Sequence, residues 1–349
     1  MDKKRVLHVL TFLNQRGTTP TVLSVIKHDK EFEHFLAVKY VTSEEAKRNF
    51  EEYCTILTFP GQGPLSFDYP ELPDKVKELG IDLVHVYLPG EELPEYVRKL
   101  NVPVILTVNC TKGCLFDKSG ISKVVVPSNY SASLNPHLDP IVIPYGLDDS
   151  SSTADRRRLV KKYFGTIGGN TGEPIIISRV GSIETVKHVE DFFSVAYKFR
   201  HLRSVFFIIG GVDRSGYLEH LKIKYPSKGL ATTGYLTEQE KADLYHCSDI
   251  CLYPSEFEAF GFSILEPMVH GVPVISYNES AIPETVGPGG VCVDFDSVSQ
   301  LCDVTAMFIS RPALREKAGK AARKHWEDNF KATLYSQRII DLYRETLNG

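Results

Sequence analysis

The chain lacks any apolar run approaching the length of a membrane span, so no segment reads as a transmembrane helix. It also lacks an excess of positive charge. Forty Lys and Arg against 44 Asp and Glu give a formal net charge of −4, which argues against a general nucleic-acid binder and leaves room only for a local basic patch. Cysteines are few and odd in number, seven in all, and Cys251 and Cys292 lie inside apolar strand-like runs. That excludes a disulfide framework and suits free buried thiols in a reducing cytoplasm. Two pairs, Cys110 with Cys114 and Cys247 with Cys251, have a spacing that is a weak match to zinc sites, and only His246 adjoins either pair. Internal repeats, low-complexity tracts and coiled-coil heptads are all missing. The first apolar run, Val6–Leu10, is too short for a signal h-region and reads as a buried strand. The resulting expectation is a cytoplasmic protein, with peripheral association at the inner face of a membrane left open.

What is present is the composition of a soluble globular protein, 42% hydrophobic and 24% charged over 349 residues, long enough for two domains. Strand-like runs include Arg5–Leu10, Phe35–Tyr40, Ile56–Phe59, Leu83–Tyr87, Val102–Val108, Lys123–Val126 and Pro140–Ile143. A second set comprises Pro174–Ser178, Val205–Ile209, Asp249–Tyr253, Val272–Ser276 and Gly290–Val293. Helical patterns lie between many of them, including Leu72–Leu79, Glu91–Leu100, Val189–Phe199 and Glu238–Cys247. Near-continuous apolar strands separated by helices indicate parallel sheets covered on both faces. The break falls around Gly146–Gly172. Its polar Asp148–Ser152, basic Arg156–Tyr163 and glycine-rich Gly165–Asn170 suggest a hinge and a surface excursion. The fold class is therefore α/β, with two Rossmann-like domains facing a cleft. The helical pattern Ala313–Leu347 is expected to return to the first domain.

The most informative segment is Ser255–Glu266, SEFEAFGFSILE. Glu258 and Glu266 flank the turn Phe260-Gly261-Phe262, which runs into a helix. Helix N-termini present unpartnered N–H groups to anions, whereas carboxylates beside such a site suit hydroxyl groups. Phosphate together with polyhydroxyl suggests a nucleotide-sugar. The local alternative is a capping box, with Ser263 as N-cap and Glu266 reaching back. Pro254 and Gly261 frame a loop after a buried strand, where open α/β sheets bind ligands.

The stretch PSEFEAFGFSILEPMVHGVPVI resembles the signature of the family 4 retaining glycosyltransferases, which have the GT-B fold: Glu, seven residues, Glu, a small residue, Gly and an apolar strand. Gly210-Gly211, Gly234-Tyr235-Leu236 and Tyr145–Asp148 follow the family's order, strongly in the second half and weakly in the first. The resemblance implies an acceptor-side domain at residues 1–147 with 330–349 packing back, and a nucleotide-sugar-binding domain at 148–329. It implies catalytic roles for Arg179, Lys187 and Glu258, the two cations on the donor diphosphate and Glu258 on the transferred sugar. Glu266 would hold ribose, backbone around Gly261, Phe262, Ser263 and Ile264 would meet phosphate, and backbone at Tyr235 and Leu236 would frame the base. The gap from Arg179 to Lys187 is longer than the family usually shows.

On the first domain, Gly17 is what remains of the family's glycine-rich turn, and Asn109 stands where many relatives place a His. Both are carried as donor-binding candidates. Asn can hydrogen-bond a hydroxyl but cannot titrate. His85 reads as a strand-end packing residue. Asp294-Phe295-Asp296 reads as a surface turn and helix cap, and no metal or other cofactor is expected. The expected partner is a nucleoside-diphosphate-sugar, with acceptor and oligomeric state left open. Two alternatives stay open as well, a nucleotide-sugar epimerase on the same fold and a non-catalytic nucleotide-sugar binder.

Overall fold

The computed structural model describes every residue except 1–2, 16, 60–67, 89, 110–111 and 166–172. It divides into two compact units, one formed by residues up to Asp148 together with Asn329–Gly349, the other by Asp149–Asp328.

The first unit is a seven-stranded, fully parallel sheet. Its strands are β1 (Arg5–Leu13), β2 (Glu33–Val41), β3 (Thr55–Thr58), β4 (Leu83–Leu88), β5 (Val104–Val108), β6 (Lys123–Val126) and β7 (Ile141–Val142). They lie in the order β3-β2-β1-β4-β5-β6-β7, so the chain starts in the middle and winds outward in both directions. Alternation along the strands sends Leu7, Val9, Val84, Val86, Leu106 and Val124 to one core layer, and Leu10, Leu36 and Val38 to the other.

The second unit repeats the design with β8 (Ile175–Val180), β9 (Val205–Gly210), β10 (Leu230–Thr232), β11 (Ile250–Leu252), β12 (Val274–Tyr277) and β13 (Gly290–Val293). Their order is β10-β9-β8-β11-β12-β13, again all parallel. Between β8 and β11 the winding reverses direction, which places the carboxyl ends of those two strands at the switch point where such sheets bind ligands.

Several expectations need correction. The long pattern Ala313–Leu347 is two helices, Pro312–Asn329 and Ala332–Asn348, divided at Phe330-Lys331. The second belongs to the first unit, where its Ser336 hydroxyl meets Ser24 at 3.0 Å on the helix Thr19–His28. Leu147 donates its N–H to the Phe330 carbonyl at 2.9 Å, and its own carbonyl accepts from the Ala332 N–H at 3.0 Å. The basic piece Arg156–Phe164 is a helix of the second unit rather than a surface excursion: Val160 is fully buried in a cluster with Ile176, Phe206 and Ile208, and Arg156 pairs with Asp249 at 2.9 Å. The stretch Glu91–Leu100 shrinks to a 3-10 turn, Glu95–Lys99, after an extended Pro94. The short edge strand β10 went unseen. Cys110, Arg16 and the loop 166–170 lie outside the described residues.

Candidate functional site

Three glycine turns at the carboxyl ends of β8, β9 and β10 are joined to one another by backbone hydrogen bonds. Gly181 donates to the Gly210 carbonyl at 3.0 Å, and Gly211 to the Gly234 carbonyl at 2.8 Å. A Cβ on Gly211 would lie 2.0 Å from the Gly181 carbonyl oxygen, so only glycine permits this approach. Leu236 is buried with its Cδ1 against Gly210, while Tyr235 is half-exposed beside it.

Arg179, the fifth residue of β8, is completely buried. Its Nη2 donates to the carbonyls of Ser182, at 3.2 Å, and Lys187, at 3.4 Å. Its guanidinium carbon sits 4.8 Å from the centre of the Tyr253 ring. Nε and Nη1 have no hydrogen-bond partner among the described residues. Burial lowers the Arg179 pKa, opposed by Tyr253, Cys251 and Glu258. An arginine left in this condition is costly unless an anion completes its bonding.

Lys187 ends a 3-10 turn, Thr185–Lys187, that folds back over Arg179. This turn closes the long sequence gap between the two cations. Lys187 Nζ donates to Glu258 Oε1 at 2.7 Å and to the Phe257 carbonyl at 2.7 Å. Glu258 is fixed from its other sides: its N–H donates to Ser280 Oγ at 2.9 Å, and the buried Ser255 hydroxyl lies 3.4 Å from Oε1.

The helix Phe262–Val269 begins at Gly261, whose φ of 100° is the left-handed conformation. The capping-box alternative is not what forms. Gly261 is the N-cap, Ser263 is inside the helix, and no side chain caps it. Ser263 instead lies beside the Tyr253 hydroxyl, and a Cβ on Gly181 would come within 2.8 Å of that hydroxyl and 3.2 Å of Ser263 Oγ. Ile264 is buried and Phe262 half-buried. Glu266, one turn further on, accepts from Lys241 Nζ at 2.7 Å and stands 3.4 Å from the Tyr245 hydroxyl. Burial raises the Glu266 pKa against the pull of Lys241. Arg179, Lys187, Glu258, Gly261 and Ser263 thus form one connected group, with Glu266 on the same helix. Tyr253 and Lys241 were missed in the sequence. Tyr253 could have been found, since it ends a buried run at the ligand-facing edge.

On the first unit, Asn109 caps the end of β5: its N–H donates to the Leu88 carbonyl at 3.1 Å, and its Oδ1 accepts from the buried Tyr145 hydroxyl at 2.6 Å. Gly17 has φ 59°, with nothing within 4 Å of the place a Cβ would occupy. His85 is a mid-strand residue of β4 rather than a strand-end one, fully buried between Tyr343 and Thr107, each at 2.7 Å.

For metals, Cys247 and Cys251 are both buried, one at a helix end and one in β11, with the Cys251 thiol pushed up to about 12 by burial. Asp294-Phe295-Asp296 forms a turn in which Asp294 accepts from Gln300 at 2.7 Å, and the following helix has Ser297, not either Asp, at its N-cap position, with no side-chain cap bond. His188, Asp191 and Asp296 lie within 4.8 Å of one another. His188 Nδ1 is already bonded to Asp191 at 3.0 Å, and Asp191 also accepts from Tyr277 at 2.7 Å.

This two-unit parallel architecture is the GT-B glycosyltransferase fold. A glycosyltransferase from Rickettsia africae superposes with a TM-score of 0.83 at 18% identity over 99% of each chain. An Anabaena protein solved with UDP-glucose gives 0.75 at 15% identity over 98% of this chain and 99% of that one. In sequence, residues 162–325 match the family described as glycosyl transferases group 1. A sulfoquinovosyl transferase of Arabidopsis thaliana is 28% identical over 93% of this chain and 67% of its own length. The chain spans from 29% to 67% of the length of the curated relatives it matches. Among the described residues, no helix is long and apolar enough to cross a membrane.

Proposed function

We propose that the protein transfers a sugar from a nucleoside-diphosphate-sugar to an acceptor with retention of configuration and without a metal. The observation that carries this reading is Arg179, a fully buried guanidinium with two unpartnered nitrogens. It stands beside Lys187 and near the start of a helix whose first turn holds Ser263. A diphosphate supplies the oxygens that Nε and Nη1 need, and charge-assisted bonds of this kind strengthen as negative charge grows on a departing phosphate. Lys187 shares that charge.

Glu266, held in place by Lys241, takes the ribose hydroxyls, and Glu258 takes hydroxyls of the transferred sugar. Backbone at Gly261–Ile264 meets phosphate, and the Gly210, Tyr235 and Leu236 surface frames the base. No side chain in this group is placed as a covalent nucleophile, so the working route is front-face substitution, in which the diphosphate leaves from the face the acceptor enters.

The test is turnover of a panel of nucleotide-sugars, followed by nucleoside diphosphate release. Arg179→Ala should lower kcat by roughly 100- to 1000-fold, the usual effect of removing one preorganised donor to developing charge. Glu266→Ala should act mainly through KM. Wild-type rates in both variants would refute the assignment, and donor binding without release would point instead to a nucleotide-sugar-binding protein.

A further inference from the structure

We propose that the Lys187–Glu258 ion pair governs product release: Glu258 competes with the diphosphate for Lys187, so that losing the sugar weakens the hold on the nucleotide left behind. The inference rests on the donor reading above and concerns how its two halves are coupled.

The two cations of the site are held very differently. Among the described residues, no carboxylate is bonded to Arg179, and two of its nitrogens lack partners. Lys187 is contested. Its Nζ lies 2.7 Å from Glu258 Oε1 and 2.7 Å from the Phe257 carbonyl, with both side chains less than one-fifth exposed. At this burial the attraction between the charges is little screened, so whatever takes Lys187 must displace a strong competitor.

The geometry also says which partner moves. Glu258 is tethered through its N–H to Ser280 and through its carboxylate to Ser255, in a loop that also bonds the lysine's own turn through Glu256 N–H and the Val186 carbonyl. Lys187 is an ammonium on a flexible four-carbon stem with three donors, of which Glu258 takes one and the Phe257 carbonyl another.

Binding the intact donor gives the Glu258 carboxylate sugar hydroxyls to accept from, which loosens its claim on Lys187 and frees that cation for the diphosphate. Sugar and diphosphate therefore bind with positive coupling, and the coupling is reciprocal. Once the sugar has been transferred, Glu258 recaptures Lys187. The nucleoside diphosphate is then held chiefly by Arg179 and backbone, and it leaves. No bond is made or broken in this exchange beyond those of the transfer itself.

The experiment is calorimetric titration of UDP, GDP and ADP, and of a matching nucleotide-sugar, into the full chain and its variants. Glu258→Gln keeps the shape and removes the competing charge. It should tighten binding of the bare diphosphate at least threefold, fail to tighten the nucleotide-sugar by the same factor, and strengthen product inhibition. Lys187→Met should weaken the diphosphate and abolish the effect of the Gln change when the two are combined. A merely structural ion pair would give no selective gain for the product. Should Glu258→Gln fail to fold, Glu258→Asp, with its carboxylate drawn back, should show the same tightening at smaller size. Equal or weaker diphosphate binding in the folded Glu258 variants, with the wild type binding normally, overturns this inference and leaves the donor reading standing. No binding of any nucleotide by the wild type overturns both.

Discussion

Arg179 and His85 are both ionisable and both fully buried, but they sit in opposite conditions. His85 is satisfied on both ring nitrogens, by Tyr343 and Thr107, and burial pushes its pKa down to about 3. It is kept neutral, as a structural link from β4 to the last helix. Its folded pKa lies below the unfolded value of about 6.5, so its contribution is whole above that pH and drains away as pH falls from about 6.5 towards 3. His8 shifts the same way through burial and its neighbours His34 and His85. Urea denaturation should therefore show stability falling by roughly 1.4 kcal/mol per pH unit per such group below pH 6. His85→Gln should flatten that slope, and an unchanged slope would remove His85 from the account. Arg179 keeps two nitrogens without a partner among the described residues, and that incompleteness is what the proposed donor role rests on.

At the scale of elements, the turn at Gly261 joins β11 to the helix that carries Ser263 and Glu266. Its φ of 100° and the 3.1 Å between a built Cβ and Ile264 Cδ1 make alanine doubly unwelcome. Gly261→Ala should cost about 1–3 kcal/mol in chemical denaturation. It should also weaken nucleoside diphosphate binding by about tenfold or more as the first helical N–H groups turn away. Retention of full affinity would show that this helix start does not meet phosphate.

Elements also explain what the sequence disclosed. Runs such as Val205–Ile209 and Lys123–Val126 are strongly apolar strands paired on both sides, and each is legible from its residues alone. The strand Leu230–Thr232 is three half-buried residues at a sheet edge, with too little apolar pattern to stand out. The spacing from Glu258 to Glu266 could be read because both lie on one short segment. Their lysine partners could not: Lys187 reaches Glu258 across 71 positions and Lys241 reaches Glu266 across 25, and such pairings belong to the tertiary fold. The local alternative at Ser263-x-x-Glu266 does not form because Gly261, not Ser263, starts that helix, while Thr237-x-x-Glu240 does form a capping box.

For the whole molecule, two parallel α/β units rest on independent cores, and the last helix, Ala332–Asn348, completes the first. The proposed donor site lies on the second unit, on residues within the segment matched to group 1 glycosyltransferases. The most direct measurement is the thermal midpoint of the wild type and of Arg179→Ala with and without UDP, GDP and ADP. Ligand at about 100 times its Kd stabilises a protein by roughly 2.7 kcal/mol through mass action. One of the three nucleotides should raise the wild-type midpoint by several degrees, and Arg179→Ala should lose most of that rise at the same concentration. A wild type indifferent to all three, or a variant that responds as strongly as the wild type, would contradict the central claim that buried Arg179 holds the donor diphosphate.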